Sequence, residues 1–273
     1  MTELAVIIAA LCGAGLILLA AAARFGAARR SAALVQILEQ GAPGAAARAD
    51  LPPEVIALAR RLGAVADRGE RIVRLTQHGQ MWLKPGGPAL PFTARQTIMV
   101  GDVGFAWSAA TAMAPGVTMQ VIDYLVGGRG GLEGRLFGIV PLVRFTDSAV
   151  AFRGEAMRYL AELMWNPDAI LVNRQLDWRV IDARTLAVAT GAGERRSEVR
   201  LLLDRDGDIA RIEADDRPRA EGRDLVARPW FGRGSDFRVI DGRRIPFKAE
   251  AGWIIDGAEF VYWRGEIATW SMA

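Results

Sequence analysis

Ala149–Pro167, AVAFRGEAMRYLAELMWNP, decides how the rest of the chain is read. At 100° per residue, Phe152, Ala156, Tyr159, Leu160 and Leu163 share an arc of about a third of a turn, the signature of a buried helical face. Glu155, Arg158 and Glu162 run along its edge at i, i+3 and i+7, so neighbouring turns bring them together. Pro167 cannot continue a helix, and Asn166 before it is biased out of the helical region. The stretch therefore predicts a helix over 149–166, with Trp165 in its last turn. Two readings of the charged stripe stay open. It is a solvated edge whose ion pairs are worth roughly a few tenths of a kcal/mol, or it is an arginine held between two carboxylates at a pocket rim, where burial makes the charges depend on one another.

Outward from this helix the period changes to two. Before it, Arg71–Leu83, Phe92–Val100, Phe105–Met113, Thr118–Val126 and Leu132–Val143 read as strands. After it come Leu176–Asp182, Thr185–Thr190, Val199–Leu203, Ile209–Ala214, Leu225–Phe231, Phe237–Ile240, Ile245–Ile255 and Phe260–Trp270. Asp206-Gly207, Asp241-Gly242 and Asp256-Gly257 separate strand-like runs, a strong hairpin signal because both central residues of such a turn need positive φ. About ten or more short strands joined mainly by hairpins make a large antiparallel sheet, which must curl, close or split. The predicted class is α+β, mainly β: an N-terminal transmembrane helix, then a curved, half-barrel-like antiparallel sheet covered by the amphipathic helix.

Leu4–Ala23 is uncharged and mostly apolar, long enough to span a bilayer as a helix. A cleaved signal peptide would want a positive n-region, and only Glu3 and the amino group precede the run. Arginine far outnumbers lysine and alanine and glycine are abundant, which suggests a bacterial source; residues 1–30 are thus expected to be an uncleaved single-pass anchor in a bacterial cell membrane, 31–50 a linker and 51–273 the domain. Within the linker, Ser31–Gln40 could form a short amphipathic helix before the small-residue stretch Gly41–Asp50. Leu51–Leu62 reads as a helix with prolines in its first turn. Arg24, Arg29 and Arg30 favour a cytoplasmic domain by the positive-inside rule, which leaves the side of the membrane open.

Composition excludes several functions. The net charge of +3 balances 34 basic against 31 acidic residues, and the basic ones are dispersed, so nucleic acid is not an expected partner. Cys12 is the one cysteine and His78 the one histidine, which removes disulfides and histidine or cysteine metal cages. No G-x-S-x-G elbow exists. Gly127–Gly134 lacks the spacing of a dinucleotide loop, since Glu133 stands where glycine is needed. Asp204, Asp206 and Asp208 lack a calcium loop's glycine, replaced by Ile209. No catalytic residue, metal or cofactor is implied, and catalytic activity stays undecided.

Eight tryptophans are the informative excess: Trp82, Trp107, Trp165, Trp178, Trp230, Trp253, Trp263 and Trp270. They read as core packing or as the aromatic lining of an apolar cavity with a few polar anchors.

An ordered set of short motifs carries a resemblance. It runs through Gln77-x-Gly79-x-Met81-Trp82, Phe92-Thr93-Ala94-Arg95-Gln96, Phe105-x-Trp107 and Gly130–Gly138. It continues with Arg158-Tyr159-Leu160-Ala161-Glu162 followed by Trp165 and Pro167, Pro229-Trp230, Gly242-x-x-Ile245-Pro246 and Trp253. From about Leu51 to the C-terminus the chain resembles an uncharacterised bacterial family of membrane-anchored proteins, a domain of unknown function, which implies no catalytic residues. At the level of fold it is also similar to the lipoprotein-carrier half-barrel, which holds acyl chains under helices.

Three functions follow. The first is a membrane-anchored module binding an apolar or amphiphilic, lipid-like ligand through Arg158, Glu162, Glu155, Tyr159, Trp165, Trp107, Trp178 and Trp253. In it, Arg158, braced by Glu155 and Glu162, meets the ligand's polar head. The alternatives are a partner-docking domain with no pocket and a hydrolase or transferase using Glu162 as acid or base.

Overall fold

The computed structural model describes residues 25–41, 46–66, 69, 71–114, 117–222 and 224–273. The expected span Leu4–Ala23 lies outside the described residues, and among those described no helix is long and apolar enough to cross a membrane.

Helix α1 covers residues 25–39 and α2 covers Pro53–Arg61. Six strands follow: β1 Ile72–Met81, β2 Leu90–Met99, β3 Phe105–Ala114, β4 Val117–Val126, β5 Arg129–Leu136 and β6 Val140–Thr146. Helix α3, Ala149–Ala161, runs through a 3-10 turn at Glu162–Trp165 into α4, Pro167–Val172. Seven more strands complete the chain: β7 Asp177–Asp182, β8 Thr185–Thr190, β9 Ser197–Leu203, β10 Ile209–Glu221, β11 Asp224–Ile240, β12 Arg243–Ile255 and β13 Ala258–Met272.

These strands form one antiparallel sheet in the order β6-β5-β4-β3-β2-β1-β13-β12-β11-β10-β9-β8-β7. The chain starts at the centre, walks outward to β6, crosses through α3 and α4 to the far edge at β7, and walks back until β13 pairs with β1. A twisted sheet of this size curls. Here it makes a half-barrel whose concave face packs on α2, α3 and α4 as one continuous core.

Alternation sorts the two faces. On β4, Met119, Val121 and Leu125 join the concave core. Ile122, Tyr124 and Val126 point the other way and pack with Ala27, Leu34, Val35 and Leu38 of α1. Residues 31–39, in the stretch expected to link anchor and domain, are therefore helical and seated on the convex face.

Several boundaries differ from expectation. The helix expected over 149–166 stops being α-helical at Ala161, where the chain tightens before Pro167. Leu132–Val143 is not one strand, because Phe137 and Gly138 take φ of 53° and 75° and turn it into a hairpin. The GRGSD stretch at 232–236 does not break β11. The Asp-Gly pairs at 241–242 and 256–257 have the positive φ that hairpins need. At 206–207 only Gly207 does. That turn is instead held by Asp204 Oδ1, which accepts from the N–H groups of Asp206 and Asp208.

Candidate functional site

Helix α3 is placed by its ends and by one glycine. Ser148 caps it, its Oγ accepting from Ala151 N at 3.0 Å. Gly130 on β5 admits it, since a Cβ there would stand 2.9 Å from Phe152 Cα. Asp168 anchors the far end: Arg243 donates to both its oxygens, at 3.2 and 2.7 Å, and Val65 N donates at 2.9 Å.

Between α3 and the concave face lies a cavity of about 410 Å³. Trp107, Trp165, Trp230, Trp253, Trp263, Tyr262 and Met164 supply much of its wall. The rings are locked to one another. Trp253 stacks on Tyr262 at 5.7 Å, Phe92 on Trp263 at 5.7 Å, and Trp165 meets Trp263 edge-on at 6.4 Å. Their polar atoms are tied back, Trp165 Nε1 to Pro246 O at 2.9 Å and Trp230 Nε1 to the Tyr262 hydroxyl at 3.2 Å. Leu83 and Val150 line the cavity and are also exposed, which marks where it opens.

The polar end of the cavity is built around Arg158, in the last turn of α3. Its Nη1 donates to Asp123 on β4 and its Nε to Glu162 Oε1 at 2.8 Å. The guanidinium also lies 4.9 Å from the ring centres of both Phe105 and Trp107. Gln96 Nε2 donates to the other Glu162 oxygen at 2.5 Å, and Trp107 Nε1 donates to Gln77 Oε1 at 2.8 Å. Burial lowers the guanidinium's proton affinity, but Glu162 and Asp123 more than reverse this, so Arg158 stays charged. Burial raises the Glu162 pKa, against the pull of Arg158. Glu155 is held well above the ordinary glutamate value, first by burial and then by the charge of Asp123 and a hydrogen bond to it. Glu155 is thus a neutral acid beside the Asp123 carboxylate.

The structure brings together six of the eight expected residues. Arg158, Glu162, Glu155, Trp165, Trp107 and Trp253 all line the cavity. The stripe's carboxyls are buried and Arg158 is mostly so, rather than solvated, and the carboxylates bracing Arg158 are Asp123 and Glu162, not Glu155 and Glu162. Tyr159 and Trp178 do not line it. Tyr159 lies one residue, about 100°, further round α3. There its hydroxyl donates to Met99 O at 3.0 Å and accepts from Asn173 Nδ2 at 2.9 Å. Trp178 packs against the core from edge strand β7.

Sequence reasoning missed Asp123, Gln77 and Arg217. The one signal for Asp123 was its phase, in step with the apolar Val121 and Leu125. Arg217, on β10, lies 4.7 Å from the Trp230 ring centre and 5.8 Å from that of Trp253, with Nε donating to Gly154 O at 3.3 Å. Among the described residues the lining holds no Ser, Thr, Cys, His or Lys, so there its carboxyls and Tyr262 are the groups for acid–base or covalent chemistry. Among the described residues no group of His, Cys, Asp and Glu is placed to hold a metal ion.

The fold and site define a curled antiparallel half-barrel with a helix laid across an aromatic cavity. The chain belongs to the family of unknown function DUF6544, whose model matches residues 42–265. Among curated proteins, none matches it. Solved structures similar to it include a protein described as an outer membrane lipoprotein-sorting domain, from Vibrio parahaemolyticus (9% identity, 80% of this chain and 91% of that one, TM-score 0.44). Two others are a LolA superfamily protein from Nitrosomonas europaea (10%, 80% and 93%, TM-score 0.43) and a DUF1329 family protein from Desulfovibrio piger (10%, 80% and 90%, TM-score 0.44).

Proposed function

We propose that this protein is a membrane-anchored module that holds an apolar or amphiphilic, lipid-like molecule in the cavity beneath α3. The observation that carries the reading is the cavity itself: about 410 Å³ walled by aromatic rings, with one polar end. Small-molecule sites have this form, mostly apolar with a few placed polar groups and about 300–1,000 Å³ in volume. A domain that docks partners without a pocket has no use for such a space. The anchor rests on the 20 uncharged residues of Leu4–Ala23. The arginines after it favour a cytoplasmic domain.

The test is native mass spectrometry with lipid extraction on the full chain, purified from membranes once as isolated and once after delipidation. A stoichiometric amphiphile that the delipidated protein takes up again is the expected result. A protein that is empty from cells and refuses added amphiphiles removes the reading and leaves partner docking in its place.

A further inference from the structure

The polar end of the cavity has more carboxyl than guanidinium. Asp123, Glu155 and Glu162 all line it, and one arginine, Arg158, pairs with two of them. Arg217 is turned aside: its Nη1 donates to the Tyr262 hydroxyl at 3.2 Å, its Nε to the Gly154 carbonyl, and its face lies on Trp230.

Gln77 Nε2 is buried in this end without a hydrogen-bond partner, and Asp123 Oδ1 and Glu155 Oε2 have none beyond the proton those two side chains share. Asp123 and Glu155 are 6% and 9% exposed, and Gln77 only 3%. Orphaned polar atoms at such depth are costly and rare. Gln77 is independent of the acidic cluster, and its orientation is fixed because Trp107 Nε1 holds its oxygen. The polar end is therefore built to meet a ligand, with one donor to satisfy and a carboxyl pair whose single shared proton a cation can replace.

The charge decides the ligand's chemistry. An anionic head would meet the Asp123 and Glu162 carboxylates, with Arg158 already engaged by both. A neutral hydroxyl cannot replace the proton that Asp123 and Glu155 share, because it brings no charge to offset the second carboxylate. An ammonium offers three donors and a positive charge, and charge-assisted hydrogen bonds to carboxylates are about twice as strong as neutral ones.

Resting on the ligand-holding reading above, we propose that the natural ligand is an apolar chain whose head carries a protonated amine, seated between Asp123 and Glu155, and an acceptor oxygen. Gln77 Nε2 donates to an oxygen on the same head. The apolar chain lies along Trp165, Trp253 and Trp263. When the cation arrives Glu155 gives up its proton, so uptake releases a proton to solvent.

The test uses the delipidated full chain in detergent with three probes of matched tail: dodecylamine, dodecanol and dodecanoate. Binding is read by titration calorimetry and native mass spectrometry. Dodecylamine should bind about tenfold or more tighter than either other probe. Glu155→Gln and Asp123→Asn should bring it down to the level of dodecanol. Dodecanol uptake and circular dichroism report whether each variant is folded; Glu155→Gln, which keeps shape and removes neither ion-pair partner of Arg158, is the safer of the two. Equal binding of all three probes, or preference for dodecanoate, overturns the amine head and leaves the amphiphile reading standing. Uptake of none of them overturns both.

Discussion

At the scale of single residues the site turns on the neutral acid Glu155. The charges acting on it are Asp123 from β4, Arg158 from its own helix and Arg217 from β10, whose hydrogen bonds go elsewhere. A carboxyl whose pKa is raised by folding binds its proton more tightly folded than unfolded. Its contribution to stability is fully present below the ordinary glutamate value of 4.5 and is lost as pH rises through the folded value. Each tenfold difference in proton affinity between the folded and unfolded chain is worth about 1.4 kcal/mol. Glu155→Gln holds the neutral form at every pH. The difference in stability between the variant and the native chain should therefore grow in the variant's favour as pH rises from about 4.5, and be smallest in acid. Urea unfolding across pH reads it, and a pH-independent difference would show that Glu155 is ionised in the fold. The sequence placed Glu155, Arg158 and Glu162 side by side because helical spacing is local. It gave Arg158 the wrong second partner because Asp123 arrives from a strand 35 positions away, a pairing no local pattern contains.

At the scale of elements, α3 serves the site only because both its ends are fixed. The 3-10 turn redirects the chain so that α4 can start at Pro167, and Asp168 in α4's first turn is clamped by Arg243 of β12. Both side chains are buried, at 4% and 2% exposure. Removing one partner of a buried ion pair leaves the other uncompensated, at a cost of about 3–5 kcal/mol. Asp168→Ala should lose stability on that order in denaturant titration, with Val65 N also left unbonded. A loss under about 1 kcal/mol would mean that water reaches the pair. The strand count was legible because alternation and Asp-Gly turns are written locally. The Phe137-Gly138 hairpin was not, since a phenylalanine at φ 53° breaks the preference that makes turns readable. The uninterrupted β11 was hidden for the opposite reason: its glycines and Asp236 look like a turn, and pairing with β12 overrides them.

At the scale of the whole molecule, the half-barrel has two covered faces, and sequence reading supplied a cover for one. The concave face was anticipated from the amphipathic α3. The convex face was not: Ser31–Gln40 reads as a short amphipathic helix, but nothing local in the sequence says which surface its apolar residues meet. Yet Leu38 of α1 is 1% exposed among Met99, Ala106, Ile122, Tyr124 and Val126. Arg30 donates to both oxygens of the buried Glu133 on β5, at 2.8 and 2.5 Å. A linker free of the sheet would tolerate Leu38→Ala without loss. In a seated helix the deletion costs the transfer energy of a leucine side chain plus the cavity left behind, about 2–5 kcal/mol. Urea unfolding of the full chain should show a loss in that range for Leu38→Ala, with little change for Ile37→Ala, whose side chain is 53% exposed on the same helix. If the two variants behaved alike, α1 would not be part of the folded body, and a chain beginning at Leu51 would be the complete domain. If Leu38 alone matters, the helix that follows the expected anchor is packed on the back of the sheet that forms the cavity. The ligand-holding face would then be held at a fixed attitude to the point where the chain meets the membrane.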